Sequence, residues 1–165
     1  MNDTMLLDFK DLLPRLQDTA DRSEIEQAIN RHFLSPDDRR ADDAWFDSVY
    51  TEDFVLIVPT GTYTGREGMR EALRTSAVVF ERSHHLVSNH VIEIDADGAA
   101  IRSKIIATHL QRADDQGDAF TGGADYTFTA RRTGNGWRLS RAEYIAVWTR
   151  GTPPTPPAEP SGSQG

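Results

Sequence analysis

None of the 165 residues is a cysteine. That excludes a disulfide, a thiolate-bound zinc and a cysteine nucleophile. There is also no apolar run close to the roughly 20 residues that span a bilayer. The opening Met1-Asn2-Asp3-Thr4 lacks the basic start of a signal peptide. A cytoplasmic protein without membrane contact is therefore expected. Positive charge is scarce: 18 Lys and Arg against 26 Asp and Glu give a formal charge of −8. With no basic stripe interleaved with aromatics, nucleic acid is disfavoured as a partner. G-x-S-x-G nucleophile motifs and phosphate-cradling glycine loops are missing. No H-x-x-x-H or facial-triad spacing occurs either, so neither a metal nor a cofactor is expected.

What remains is ordinary globular composition, 38% hydrophobic and 27% charged. A chain of this length fits one domain and can bury its own core. It divides into an N-terminal helical flap over residues 1–19, a domain over 20–151 and a Pro/Gly/Ser-rich tail over 152–165. The tail holds too few apolar side chains to offset its ordering entropy and is expected to be disordered.

Pro14 interrupts the helical spacing of Leu6, Phe9, Leu12, Leu13 and Leu16, so a break is expected there. Asp21 and Glu24 resemble a capping box opening a new helix. Ile25, Ala28, Ile29, His32 and Phe33 form its apolar stripe, and Ser35-Pro36 end it. His32 on that stripe reads as a packed, hydrogen-bonded core residue. Asp42 or Asp43 can cap a short helix carrying Trp45, Phe46, Val49 and Tyr50. Residues 53–59 read as a buried strand and 60–65 as a turn-rich link. Thr64 and Glu67 look like a second capping box, before a helix bearing Met69, Ala72, Leu73, Val79 and Phe80.

Beyond Phe80 the period changes to two. Residues 85–95 form a strand, and Asp97-Gly98 turns the chain. Ile101, Ser103, Ile105, Ala107 and His109 share one face of the next strand. A loop over 112–123 follows, and then Ala124, Tyr126, Phe128 and Ala130 alternate with polar residues. Thr133-Gly134-Asn135-Gly136 is a hairpin turn. The segment from Trp137 to Trp148 is long enough to need a bulge or bend. Three helices before consecutive strands argue an α+β fold: a cone-shaped barrel, its curved antiparallel sheet and three helices enclosing a pocket.

Four of the five histidines fall in Ser83-His84-His85-Leu86-Val87-Ser88-Asn89-His90 and Ala107-Thr108-His109. Histidine titrates near neutrality and moves protons in either direction. His85 is a candidate base, set against a strand-end histidine bonded to a loop carbonyl. His109 has inward parity, which suits both a site residue and a satisfied core histidine. His84 and His90, of opposite parity to His85, read as structural or exposed. Asn89 shares the parity of His85 and can orient a ligand or make a cross-strand bond. Tyr63, Tyr126, Phe128 and Trp148 are candidate pocket wall or core.

The ordered set resembles the SnoaL-like branch of the NTF2-like superfamily over about residues 20–150. Asp21-Arg22-Ser23-Glu24-Ile25, Asp37-Asp38-Arg39-Arg40 and Tyr50-Thr51-Glu52-Asp53-Phe54 carry it first. Gly61-Thr62-Tyr63-Thr64-Gly65, His85 to His90, Ala107-Thr108-His109 and Gly136-Trp137-Arg138-Leu139 complete it. The superfamily includes scytalone dehydratase-like enzymes, bile-acid dehydratases, polyketide cyclases and ketosteroid isomerase. The dehydratase pattern implies catalytic roles for Asp37, His85 and His109, with Asp38 an alternative partner for His85. Two tyrosines of that pattern are missing: Pro36 occupies one position, and none lies on the strand containing Val58. Three functions stay open. One is a cofactor-independent lyase or isomerase (dehydratase or cyclase) acting on a polyketide- or steroid-like carbonyl compound. The others are a non-catalytic binder of a small hydrophobic or aromatic metabolite and a cofactor-independent monooxygenase. Homodimerisation through the open sheet face is the expected assembly.

Overall fold

The sequence pattern breaks one helix in two at Pro14; the structure keeps it whole. In the computed structural model, which describes residues 9–34, 41–96, 98–112 and 119–153, helix α1 runs Phe9–Phe33 with Pro14 inside it. A proline disturbs only the turn before it. Here that turn is solvent-facing, with Leu13 exposed. Asp21 is accordingly not an N-cap. It lies mid-helix, is buried, and accepts from Trp137 Nε1 at 3.0 Å, from Gln17 Nε2 at 2.9 Å and from Arg132. Glu24 accepts the Trp137 backbone N–H at 3.2 Å. Tertiary partners have thus claimed both carboxylates of the apparent capping box, tying α1 to the far end of the sheet.

Helix α2 (Asp43–Val49) is capped by Asp42, which accepts the Trp45 N–H at 2.8 Å. Strand β1 (Tyr50–Val58) follows directly, and the link after it forms a short edge strand, β2 (Gly61–Thr64). Helix α3 (Gly65–Val79) starts after Thr64 without a side-chain capping bond. Its expected partner Glu67 instead pairs with Arg70 and Arg74. Strands β3 (Arg82–Ile94), β4 (Ala99–Leu110), β5 (Phe120–Thr133) and β6 (Gly136–Arg150) complete the chain. Strand β5 thus begins inside the expected 112–123 loop.

The sheet order is β2-β1-β6-β5-β4-β3. It is curved and unclosed, with three helices, as an α+β cone requires. It is mixed rather than wholly antiparallel, because β1 lies parallel to β6. Alternation holds along β4 and β5: Ile101, Ile105, Ala107, Ala124, Tyr126, Phe128 and Ala130 are buried beneath the helices. Ile25, Ala28, Ile29, Phe46, Val49, Tyr50 and Phe54 supply the other half of that core. Strand β6 skips one residue at Ser140 and another at Val147 relative to β5, the expected bulges.

A third bulge has more consequence. Ser88 pairs with Lys104 and Val91 with Arg102, so two residues of β3 face Ser103 alone. Asn89 sits there at φ 56°, a left-handed conformation that asparagine tolerates better than most residues. Side-chain parity flips across it. His85 and Val87 face inward before the bulge, and His90 and Ile92 after it.

Candidate functional site

Where β3 and β4 begin and end, two histidines meet on the inward face. His85 lies opposite Ala107, and His109 opposite Ser83. Their ring centroids are 5.3 Å apart, edge to face. The Phe33 ring, in the last turn of α1, stands 5.9 Å from His85 and 5.1 Å from Tyr126. Phe80, just past α3, stacks on His109 at 4.3 Å. Ser83 Oγ lies 2.8 Å from His109 Nδ1. The ends of two helices and two strands therefore build one small aromatic-walled group.

Electrostatics keep both rings neutral. Desolvation lowers the His85 pKa, a hydrogen bond to the Phe33 backbone pushes it back, and nearby His84 lowers it further. Burial and the neighbouring His85 bring His109 down to about 4. Neutral imidazoles at neutral pH can accept a proton or donate a hydrogen bond.

His32 lies deeper. It is buried, shares a 2.9 Å hydrogen bond with Tyr50 OH, and has edge contacts with Phe33, Phe54, Tyr126 and Phe128. Burial lowers its pKa to about 3, with His85 adding to the shift. It is the satisfied core histidine that its stripe position implies.

Of the other expected site residues, Tyr126 and Phe128 stack at 5.1 Å in the buried wall behind the histidines. Tyr63 packs against the core from edge strand β2. Asn89 is exposed at the bulge, no longer in phase with His85. His90 gains the inward parity instead and bonds Ser103 Oγ at 2.7 Å. Trp148 lies over Gly123, on the opposite sheet face from Ala124 and Tyr126. Asp37 and Asp38 are outside the described residues, as are Asp97 and the tail from 154 onward. Among the described residues, no group of three or more His, Asp or Glu could hold a metal ion, and no helix is long and apolar enough to cross a membrane.

Sequence reasoning missed Ser83, Phe80 and Tyr144 as neighbours of this group. Ser83 shares the parity of His85, a usable signal, but the expected strand began two residues too late to use it. Tyr144 faces Tyr126 across β5 and β6 at 5.6 Å. Two clefts lie elsewhere. One of about 360 Å³ separates Glu24 and Arg31 of α1 from the β5–β6 turn, and one of about 250 Å³ runs beside Arg102 and Thr127. Neither borders His85 or His109.

Comparison with known proteins places the chain in a family. No protein of curated function matches the chain. Solved structures do. A protein from Kribbella flavida, Kfla4162, is 28% identical, with a TM-score of 0.71 over 81% of this chain and 95% of its own. An NTF2-like protein with a cystatin-like fold from Novosphingobium aromaticivorans is 23% identical, with a TM-score of 0.71 over 86% and 92%. A candidate scytalone dehydratase from the same organism is 20% identical, with a TM-score of 0.67 over 86% and 97%. The profile of the SnoaL-like domain matches residues 17–143, and the chain belongs to that family, with an NTF2-like fold.

Proposed function

We propose that this protein is a cofactor-independent lyase or isomerase, a dehydratase or cyclase, in which His85 removes a proton α to a carbonyl. The observation that carries the reading is the pair of desolvated, neutral imidazoles 5.3 Å apart on the inward face. Burial keeps His85 unprotonated at neutral pH, as a general base must be. His109, across the same space, meets the oxygen on which negative charge develops. Phe33, Tyr126 and Phe128 suit a small hydrophobic or aromatic substrate of polyketide or steroid type. Tyr63, packed against the core from β2, joins the substrate-binding set, whereas Asn89, exposed at the bulge, and Trp148, on the outer sheet face, stand apart from it.

Asp37 is proposed as the carboxylate that stabilises the His85 imidazolium. It follows Phe33 by four residues, a reach of at most about 14 Å. An NMR titration tests it: Asp37→Asn should lower the His85 pKa, and an unchanged value removes Asp37 from the site. For the reaction, dehydratable and cyclisable carbonyl compounds are screened against wild type and His85→Ala. Loss of turnover by roughly 10²–10⁴-fold with ligand still bound is expected. Undiminished turnover in the variant would sink the reading.

A second reading has one observation in its favour. The interaction resolved at His85 is with the Phe33 backbone, a partner that a purely structural histidine would also take. A non-catalytic ligand binder would show saturable binding and no turnover anywhere in the screen. Oxygen uptake with an electron-rich aromatic would instead identify a monooxygenase.

We also propose a homodimer formed through the outer sheet face. Leu86, Val91, Ile106, Ile145, Val147 and Trp148 are large, apolar and exposed there. Leu86, Ile106, Gly123 and Trp148 fall in a single row across four strands. A contiguous apolar row on an open sheet face is a typical association surface.

A further inference from the structure

We propose that the Ser83 hydroxyl donates to His109 Nδ1 and so holds that ring in its Nε2–H tautomer, a neutral hydrogen-bond donor to the developing oxyanion. The inference rests on the acid–base reading of His85 and His109 and assigns how the second histidine works. Ser83 and His109 occupy one register position of the β3–β4 ladder, which brings Oγ to 2.8 Å from Nδ1. Phe80 stacks on the ring at 4.3 Å and 23°, and the Phe120 ring lies parallel to it at 6.4 Å. With Nδ1 taken and the ring held between neighbours, Nε2 is the polar atom left for a ligand.

Tautomer choice follows from complementarity. The hydrogen bond of His85 to the Phe33 backbone uses its one N–H as a neutral ring, so its other nitrogen presents a lone pair. A His109 with its proton on Nδ1 would present a second lone pair to the same space. The histidine pair would then offer no donor to a negative oxygen. The Nε2–H tautomer supplies that donor, and the partner at the other nitrogen of a histidine is what sets its tautomer. Burial brings the His109 pKa down to about 4, so at neutral pH the ring carries no spare proton to transfer. Its contribution is therefore electrostatic, as with other neutral histidine donors.

The step balances. The α C–H bond breaks and its proton goes to the free nitrogen of His85. The electron pair moves through the new C=C bond to the carbonyl oxygen, which accepts the Nε2–H hydrogen bond. In a dehydration, His85 then returns the proton to the departing β-hydroxyl, and water leaves. Ser83 never touches substrate and is a positioning residue.

Long-range ¹H–¹⁵N NMR of the uniformly labelled full chain tests the assignment. Wild-type His109 should show unprotonated Nδ1 and protonated Nε2. Ser83→Ala should populate both tautomers, and Ser83→Thr, which keeps the hydroxyl, should restore the wild-type pattern. Protonated Nδ1 in wild type, or an unchanged pattern in a folded Ser83→Ala, overturns the proposal. If Ser83→Ala does not fold, the wild-type and Ser83→Thr spectra decide. With a substrate from the screen, Ser83→Ala should lower kcat roughly tenfold or more with little change in KM. Failure of the acid–base reading itself is distinguishable: turnover then persists in His85→Ala while the His109 tautomer is as assigned, which refutes the catalytic role alone.

Discussion

Replacing Asp21 with asparagine tests how α1 is fixed to the sheet. Asp21 is only 4% exposed, and its two oxygens are fully used. Oδ1 accepts from Trp137 Nε1 and Gln17 Nε2, and Oδ2 accepts from Arg132. Arg132 also stacks over Trp137, 4.7 Å from the ring centroid. Its hydrogen bond is the largest cause lowering the Asp21 pKa from 3.8 to about 2, with those of Trp137 and Gln17 adding to it against burial. A shift of that size corresponds to roughly 2.4 kcal/mol. The guanidinium is half exposed, so solvent screening reduces this to about 1–2 kcal/mol. Asparagine has one accepting edge where aspartate has two, so one donor must face the amide NH₂ whichever way it turns. That mismatch adds roughly 1 kcal/mol. The expected loss is therefore about 2–3 kcal/mol at neutral pH. The folded-state pKa is depressed, so the charge-dependent part is present above the unfolded value of 3.8 and is lost as pH falls through about 2. Urea unfolding followed by tryptophan fluorescence, at neutral pH and again near pH 2, gives the measurement. Wild type and variant should converge at the acid end to within the donor-mismatch cost. A gap that is the same at both pH values, or below about 0.5 kcal/mol at neutral pH, would refute the reasoning.

Other expectations follow from the same contacts. His32→Ala removes a buried ring and leaves Tyr50 OH without its partner, so a loss of roughly 2–4 kcal/mol is expected in urea unfolding. The wild-type His32 ring, lowered to about 3, should stay neutral by NMR down to about pH 4. Because the unfolded chain binds that proton more readily, His32 should cost stability progressively as pH falls below its ordinary 6.5. For catalysis, kcat/KM should rise with pH through the lowered His85 pKa, and a midpoint above 6.5 would contradict a desolvated base. Leu86→Glu combined with Ile106→Glu should convert a dimer to monomers in sedimentation, with circular dichroism unchanged. A wild-type monomer at all concentrations would dispose of the outer-face interface.

Much of this was legible without coordinates. The period-two runs marked the inward faces of β4 and β5, because alternation on a half-buried strand is a purely local consequence of the pleat. The same alternation puts His109 inward, and the helical stripe puts His32 in the core. Where reading failed, a distant partner decided. Asp21 and Glu24 looked like a helix start because spacing alone cannot reveal that Arg132 and Trp137, more than a hundred residues away, claim those oxygens. The parity of Asn89 and His90 failed for a related reason. A bulge is set by pairing with the neighbouring strand, and one extra residue reverses every side chain beyond it.

The amino-acid sequence by itself determined the element types, the inward stripes and the family, since these rest on local periodicity and ordered motifs. Tertiary structure decided which histidines meet. It drew His85 and His109 together with Ser83, Phe80 and Phe33, set His90 on Ser103, and turned Trp148 to the opposite face. Those outcomes depend on register, bulges and the parallel pairing of β1 with β6, which are properties of strands in contact and not of any single segment.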